Sequence, residues 1–257
     1  MILLDPFARP VIGHRGNRAF APENTIPSLL EAVALGADAV EFDVQVTRDG
    51  ALVLMHDLTL DRTTDATGPL AARSLADLRG VDAGARFTRG GLDFPWRGRG
   101  VAVPTFDEVV EALPRSLPMI IELKTPAATA ALRHAIDRHA LRDRVIVAGF
   151  DPASTTPLRG SDVALGASTP DVAGLLLPSL LRRPIVAPWF RALCIPPSHR
   201  GIPVPVAAVA RATRAHGVVT HVWTINEPAR AQRLWRAGVQ GIISDDPALM
   251  LAARQGV

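Results

Sequence analysis

The chain has 257 residues, 48% of them hydrophobic and 21% charged, with one Cys and no Tyr. This excludes a disordered or fibrous chain, and a single cysteine excludes an internal disulfide framework. The formal net charge is only +3, so the isoelectric point of 10.2 reflects missing buffering groups (Lys124 is the only lysine) and does not indicate a nucleic-acid partner.

In chain order, β-rich runs alternate with helical patterns. Strands are expected over residues 11–16, 39–47, 52–57, 118–124, 144–150, 162–168, 193–196, 218–225 and 241–244. Helices are expected over 26–35, 106–113, 127–139, 152–158, 172–181, 206–216, 228–237 and 247–254, several opening on Pro or a Ser/Thr/Asp cap. Strand followed by helix, repeated about eight times, argues a parallel sheet closed into a barrel. The exception is a stretch of many Gly, Arg and Asp between Asp57 and Thr105, expected as a small excursion at the barrel mouth. It follows a hairpin turned at Asp49-Gly50. A barrel of about this length runs as one domain, and no linker or repeat interrupts it, so residues 1–257 are expected to form a single domain with an insertion at about 58–104.

The N-terminus lacks the pattern of a signal peptide, and no apolar run reaches the ~18–20 residues of a membrane span. A cytoplasmic protein without stable membrane insertion is expected. The sequence carries no indication of oligomeric state.

In a parallel barrel the active site sits at the C-terminal ends of the strands. Those ends read His14-Arg15-Gly16, Glu41-Phe42-Asp43, His56-Asp57, Glu122-Leu123-Lys124, Trp223 with Asn226, and Ser244-Asp245-Asp246. Glu41 and Asp43 are two apart and face the same side of a strand. Two carboxylates in one confined space repel, so one takes a proton or a cation sits between them. Glu122 would be a third, and three carboxylates suit a hard cation, Mg²⁺ or Ca²⁺. A surface strand with alternating charges would carry the same Glu-x-Asp pattern; Glu122 and the two strand-end histidines argue against it.

His14 and His56 are acid–base candidates, since histidine gives or takes a proton near neutral pH. The other histidines are expected to be structural, with His221 open. Arg15 and Lys124 would bind a phosphate, one by its fork and one as a point charge. Trp223 offers an apolar face for a glycerol or choline-like moiety, or packs in the core.

Together these segments resemble the glycerophosphodiester phosphodiesterases. The resemblance is carried by residues 13–16, Pro22-Glu23-Asn24-Thr25, Glu41-Phe42-Asp43-Val44, the turn at 47–50, residues 54–57 and 60–64. It continues through Pro104-Thr105-Phe106-Asp107-Glu108, Glu122-Leu123-Lys124, Val222-Trp223-Thr224-Ile225-Asn226 and residues 241–247. It implies a (β/α)₈ TIM barrel with a small insertion after the second histidine. It also implies a divalent cation on Glu41, Asp43 and Glu122, catalytic histidines at His14 and His56, and phosphate binding by Arg15 and Lys124. The implied reaction is hydrolysis of a small-molecule glycerophosphodiester to glycerol 3-phosphate and an alcohol; His14 is read as base and His56 as acid, an order the sequence does not fix. Phospholipase D-type hydrolysis of lysophospholipids is the alternative. It would need an apolar channel, for which Leu175–Leu177 and Trp189–Phe190 are candidates.

Overall fold

The computed structural model describes residues 1–256. The parallel strands are β1 (Val11–His14), β2 (Ala39–Val46), β4 (Met119–Leu123), β5 (Val145–Ala148), β6 (Ala164–Leu165), β7 (Ala192–Ile195), β10 (Val219–Val222) and β11 (Gly241–Ser244). They hydrogen-bond in the order β6-β5-β4-β2-β1-β11-β10-β7. A parallel bridge between Gly166 and Ala192 joins the two ends, so eight parallel strands among the described residues make a (β/α)₈ barrel. The antiparallel β3 (Leu52–Leu54) pairs with the end of β2, outside the ring.

The period-2 alternation of strand side chains sorts each strand into two faces. On β2, Val40, Phe42 and Val44 pack outward among Leu29 and Ala32 of α1 (Ile26–Ala34) and Phe106 and Val109 of α3 (Phe106–Ala112). Ala39 faces the lumen, and the same period turns Glu41 and Asp43 inward above it. On β4, Met119, Ile121 and Leu123 pack outward, and Ile120 faces the lumen with Glu122 above it. Ile12, Ile146 and Ile243 fill the lower lumen, which Leu3 of a 3₁₀ turn (Ile2–Leu4) closes from below. The charged groups therefore sit on an apolar floor, at the end where the strands finish.

The helices begin where capping chemistry requires. Thr25 and Thr105 accept from the N3 backbone of α1 and α3, and Asp246 does so for α9 (Pro247–Arg254), each cap contributing ~1 kcal/mol. The remaining helices are α2 (Leu75–Leu78), α4 (Thr129–Arg138), α5 (Pro152–Thr155), α6 (Thr169–Leu180), α7 (Val206–Arg214) and α8 (Pro228–Arg236). None of the described helices is long and apolar enough to cross a membrane.

Several elements differ from expectation. The helix over 152–158 is α5 followed by a 3₁₀ turn at Thr156–Leu158, because Pro157 has no N–H to continue an α-helix. The strand over 162–168 shrinks to β6, and α6 starts three residues early, where Ser168 and Asp171 form a capping box. The hairpin of β8 (Ser198–His199) and β9 (Ile202–Pro203) was not expected. It turns on Arg200 and Gly201, both at positive φ, and an Arg-Gly pair is a weak turn signal beside Asn-Gly. The excursion after Asp57, expected as such, contains α2 and packs Leu60, Leu70, Leu78, Val101 and Val103 against Val53 and Met55.

Candidate active site

The first site element is the turn after β1. Arg15 has φ +52° and Gly16 φ +90°. A Cβ on Gly16 would lie 2.4 Å from the Ser28 backbone, so α1 packs directly on the turn and only glycine fits. The Arg15 N–H donates to Glu41 Oε2 (3.1 Å), while Ser28 Oγ (3.0 Å) and Asn24 N–H (3.1 Å) donate to its carbonyl. A non-glycine residue in the left-handed region is costly, and these contacts hold it there.

Strand register brings the carboxylates together. Asp43 pairs with Glu122 across β2 and β4, and Glu41 pairs with His14 across β2 and β1. Ligand atoms of Glu41, Asp43 and Glu122 all lie within 4.8 Å of one another. Burial, then the charges of Asp43 and Glu122, push Glu41 well above the ordinary carboxylate range. Burial and Asp43 push Glu122 up to about 7. Against the same burial, Arg15 and Lys124 hold Asp43 below its usual value. Lys124 Nζ lies 2.5 Å from Glu122 Oε1 and 3.2 Å from Asp43 Oδ1. Arg15 Nε lies 3.0 Å from Asp43 Oδ2, to which Asn24 Nδ2 donates at 2.8 Å. Asp43 Oδ1 nevertheless accepts no well-aligned hydrogen bond. An all-oxygen set of three crowded carboxyls, two buried and one half-buried, with an acceptor lacking a well-aligned hydrogen bond fits a hard divalent cation.

Both candidate histidines are held the same way. His14 Nδ1 is 2.6 Å from Asp245 Oδ1, and His56 Nδ1 is 2.5 Å from Asp57 Oδ1. Asp245 is driven down to about 2, against its burial, by His14. Asp57 is driven to about 2 first by the Arg62 hydrogen bond. Ionised carboxylates only accept, so in both pairs Nδ1–H donates, leaving Nε2 for proton transfer. Burial, reinforced by Arg15 and Lys124, lowers the proton affinity of His56 and favours its neutral ring.

His14, Arg15, Glu41, His56, Glu122, Lys124 and Trp223 line one cavity of about 50 Å³, with Asp43 buried behind it. Phe150 also lines it, its ring centroid 5.7 Å from that of Trp223 and 5.8 Å from Lys124 Nζ. All eight residues singled out from the sequence therefore converge. The proposed lipid-channel segments do not reach this cavity. Leu175 and Phe190 are buried in the outer core, Leu177 is exposed, and Trp189 Nε1 donates to Asp171. His221 lies at the barrel floor, where its Nε2 is 3.0 Å from the Leu3 carbonyl.

Several supporting residues had no assigned role in the sequence. Asp57 and Asp245 each follow a strand end, the only signal of their kind. Gln45 lies two past Asp43, so the strand period alone turns it inward. Its Nε2 donates to the carbonyls of Met55 (3.0 Å) and Asp57 (2.7 Å), tying the segment that carries His56 to β2 after β3 ends. Glu23 and Asn24 belong to a loop whose contacts nothing local predicts.

A family model described as the glycerophosphoryl diester phosphodiesterase family matches residues 14–249. A glycerophosphodiester phosphodiesterase of Caldanaerobacter subterraneus subsp. tengcongensis is 32% identical over 252 residues, covering 94% of this chain and 96% of that protein. One from Bacillus subtilis is 28% identical, covering 99% and 89%. Among solved structures, an Oleispira antarctica phosphodiesterase in complex with the product sn-glycerol-3-phosphate is 27% identical, with a TM-score of 0.79 over 97% of this chain and 98% of that one. A glycerophosphoryl diester phosphodiesterase domain from Mycobacterium tuberculosis, 20% identical, shares the fold with a TM-score of 0.85, over 97% of this chain and 100% of that one.

Proposed function

Because this chain belongs to the glycerophosphoryl diester phosphodiesterase family, whose members are phosphoric diester hydrolases, we propose that it hydrolyses small glycerophosphodiesters to glycerol 3-phosphate and an alcohol. The observation that carries the reading is the pair of Asp-anchored histidines beside three clustered carboxyls. The whole chain acts as one domain, its 58–104 segment included.

Arg15 and Lys124 are the cations that meet the phosphoryl oxygens and stabilise charge shifting onto them. One histidine removes the proton from the attacking oxygen, which is the substrate's own glycerol 2-hydroxyl or a water. The other protonates the departing alcohol, and each contributes about 10²–10⁴-fold in rate. Asp57 and Asp245 orient the rings so that Nε2 does this work, as the aspartate of a catalytic triad does. Trp223 and Phe150 pack on the apolar part of the glycerol or alcohol. Glu41, Asp43 and Glu122 would hold a divalent cation, Mg²⁺ or Ca²⁺, which supplies Lewis acidity at the phosphoryl group.

The test is release of glycerol 3-phosphate from glycerophosphocholine with Mg²⁺, with Ca²⁺ and with chelator, alongside Glu41→Ala. Release that needs the cation and falls by on the order of 10³-fold in the variant is expected, at the upper end of the loss for one oxyanion donor. Equal release in chelator, or full activity in the variant, overturns the metal assignment. No release under any condition overturns the substrate assignment.

A further inference from the structure

Glu23 lies in the Pro22-Glu23-Asn24-Thr25 segment and touches none of the three carboxyls or two histidines, yet three arginines converge on it. Arg15 Nη1 donates to its Oε1 at 2.7 Å, and Arg18 Nε to its Oε2 at 2.9 Å. Arg62 grips both oxygens, Nη2 on Oε1 at 2.7 Å and Nη1 on Oε2 at 2.9 Å. The Glu23 side chain is only 8% exposed, whereas those of Arg18 and Arg62 are 35% and 43% exposed. It is thus the buried centre of the group, with the two outer arginines partly exposed around it.

Those outer arginines continue to the two histidine pairs. Arg62 Nε donates to Asp57 Oδ2 at 2.6 Å, and Asp57 holds His56. Arg18 Nη1 reaches Asp245 Oδ1 at 3.4 Å, and Asp245 holds His14. The chain of contacts runs His56–Asp57–Arg62–Glu23–Arg18–Asp245–His14. His14 and Asp245 come from β1 and the end of β11, and His56 from the segment after β3. β2 links the two segments, pairing with β1 beside His14 and holding Met55 through Asp43, but His56 itself lies past the last of these backbone bonds.

We infer that Glu23 is a positioning residue that sets the placement of both histidines through Arg18 and Arg62, and of the Arg15 guanidinium directly. The inference rests on the acid–base reading above, and it does not depend on which ring is the acid. Whichever protonates the leaving alcohol is braced through the same carboxylate. Losing the negative charge removes the one carboxylate that the three guanidiniums share, leaving Arg62 with Asp57 and Arg18 with Asp245, so the two Asp–His pairs are no longer braced against each other. Support at this remove from the reacting atoms is worth about 10–100-fold in comparable sites.

The test compares wild type with Glu23→Gln on two substrates, glycerophosphocholine and the 4-nitrophenyl ester of glycerol 3-phosphate. An alkyl alcohol needs a proton to leave, and 4-nitrophenolate does not. The expected result is a kcat about 10–100-fold lower on the choline ester and a loss about tenfold smaller on the nitrophenyl ester. Arg62→Gln should behave alike, and the double variant should lose no more than the worse single one, because both act in one network. If Glu23→Gln does not fold, Arg62→Gln, at the exposed end, carries the comparison. Low-field proton NMR reads the two Nδ1–H groups bonded to carboxylate in both proteins without any turnover. Their broadening or loss in Glu23→Gln is expected. Equal losses on the two esters, or unchanged low-field resonances, overturn the inference. If wild type cleaves neither ester, the activity reading fails separately and the resonances alone decide the role of Glu23.

Discussion

β1 begins at Val11 and Ile12 in apolar packing and ends at His14 against Asp245. β4 begins at Met119 and Ile120 and ends at Glu122 beside Lys124. The same strands thus build two ends of opposite chemistry. At the floor, Leu3 seals the lumen among isoleucines and alanines, and the polar exception is His221. At the mouth, carboxylates, guanidiniums and imidazoles are satisfied mainly by one another. Burial of apolar surface stabilises the floor at roughly 25 cal/mol per Å². The mouth gains little from its ion pairs, since desolvation offsets them, and it keeps Glu41 and Glu122 in a field that resists their ionisation. The lesson is a division of labour along each strand: one half holds the fold, and the other half is held in an arrangement it would not adopt alone.

Three experiments would break or sharpen that division. The largest effect is expected at the mouth. His56→Ala should lower kcat by about 10²–10⁴-fold while the free energy of unfolding moves by no more than about 0.5 kcal/mol, because the ring is one-third exposed. Turnover on glycerophosphocholine and urea unfolding of the same preparation measure both. A stability loss as large as the activity loss would erase the contrast.

Leu3→Ala should do the reverse. It empties the floor of a fully buried side chain, costing about 2–5 kcal/mol of stability. Molecules that remain folded should turn over at the wild-type kcat. A slower folded enzyme would mean that the floor also tunes the mouth.

The smallest expected effect is in pH. Burial holds the folded His221 ring neutral down to about 4, while an unfolded chain takes the proton near 6.5. Between those values acid protonates only the unfolded state, so stability present above about pH 6.5 declines as pH falls towards 4 and then levels off. The difference amounts to about 3 kcal/mol. Subtracting the unfolding free energy of His221→Gln, pH by pH, isolates it from the carboxyls. A flat difference curve would place the protonated ring comfortably at the floor.

Much of the fold was legible because its signals are local. Alternation on β2 and β4, Pro and Thr at helix starts, and the recurrence of strand and helix all operate within a few residues. The eight candidate residues that converge at the mouth stood out for the same reason: charged groups, and one Trp, are conspicuous where an apolar strand ends. Where the signal is weaker, the elements shifted. Pro157 cut short the helix expected over 152–158, and the hairpin turn places Arg200 at a positive φ that Asn or Gly usually takes. Gln45 reads as an ordinary polar strand residue until the carbonyls of Met55 and Asp57 are brought to it.

The sequence by itself determined the barrel and brought forward the charged residues at its strand ends, because strand period, capping and side-chain chemistry are properties of short segments. Only the tertiary structure decided who holds whom. Asp245 reaches His14 from 231 residues away, and Arg62 reaches Glu23 across 39. The register of β2 against β4 sets Asp43 opposite Glu122. Such pairings depend on ring closure and on where the excursion folds back, and a carboxylate carries no mark in sequence of which cation it will meet.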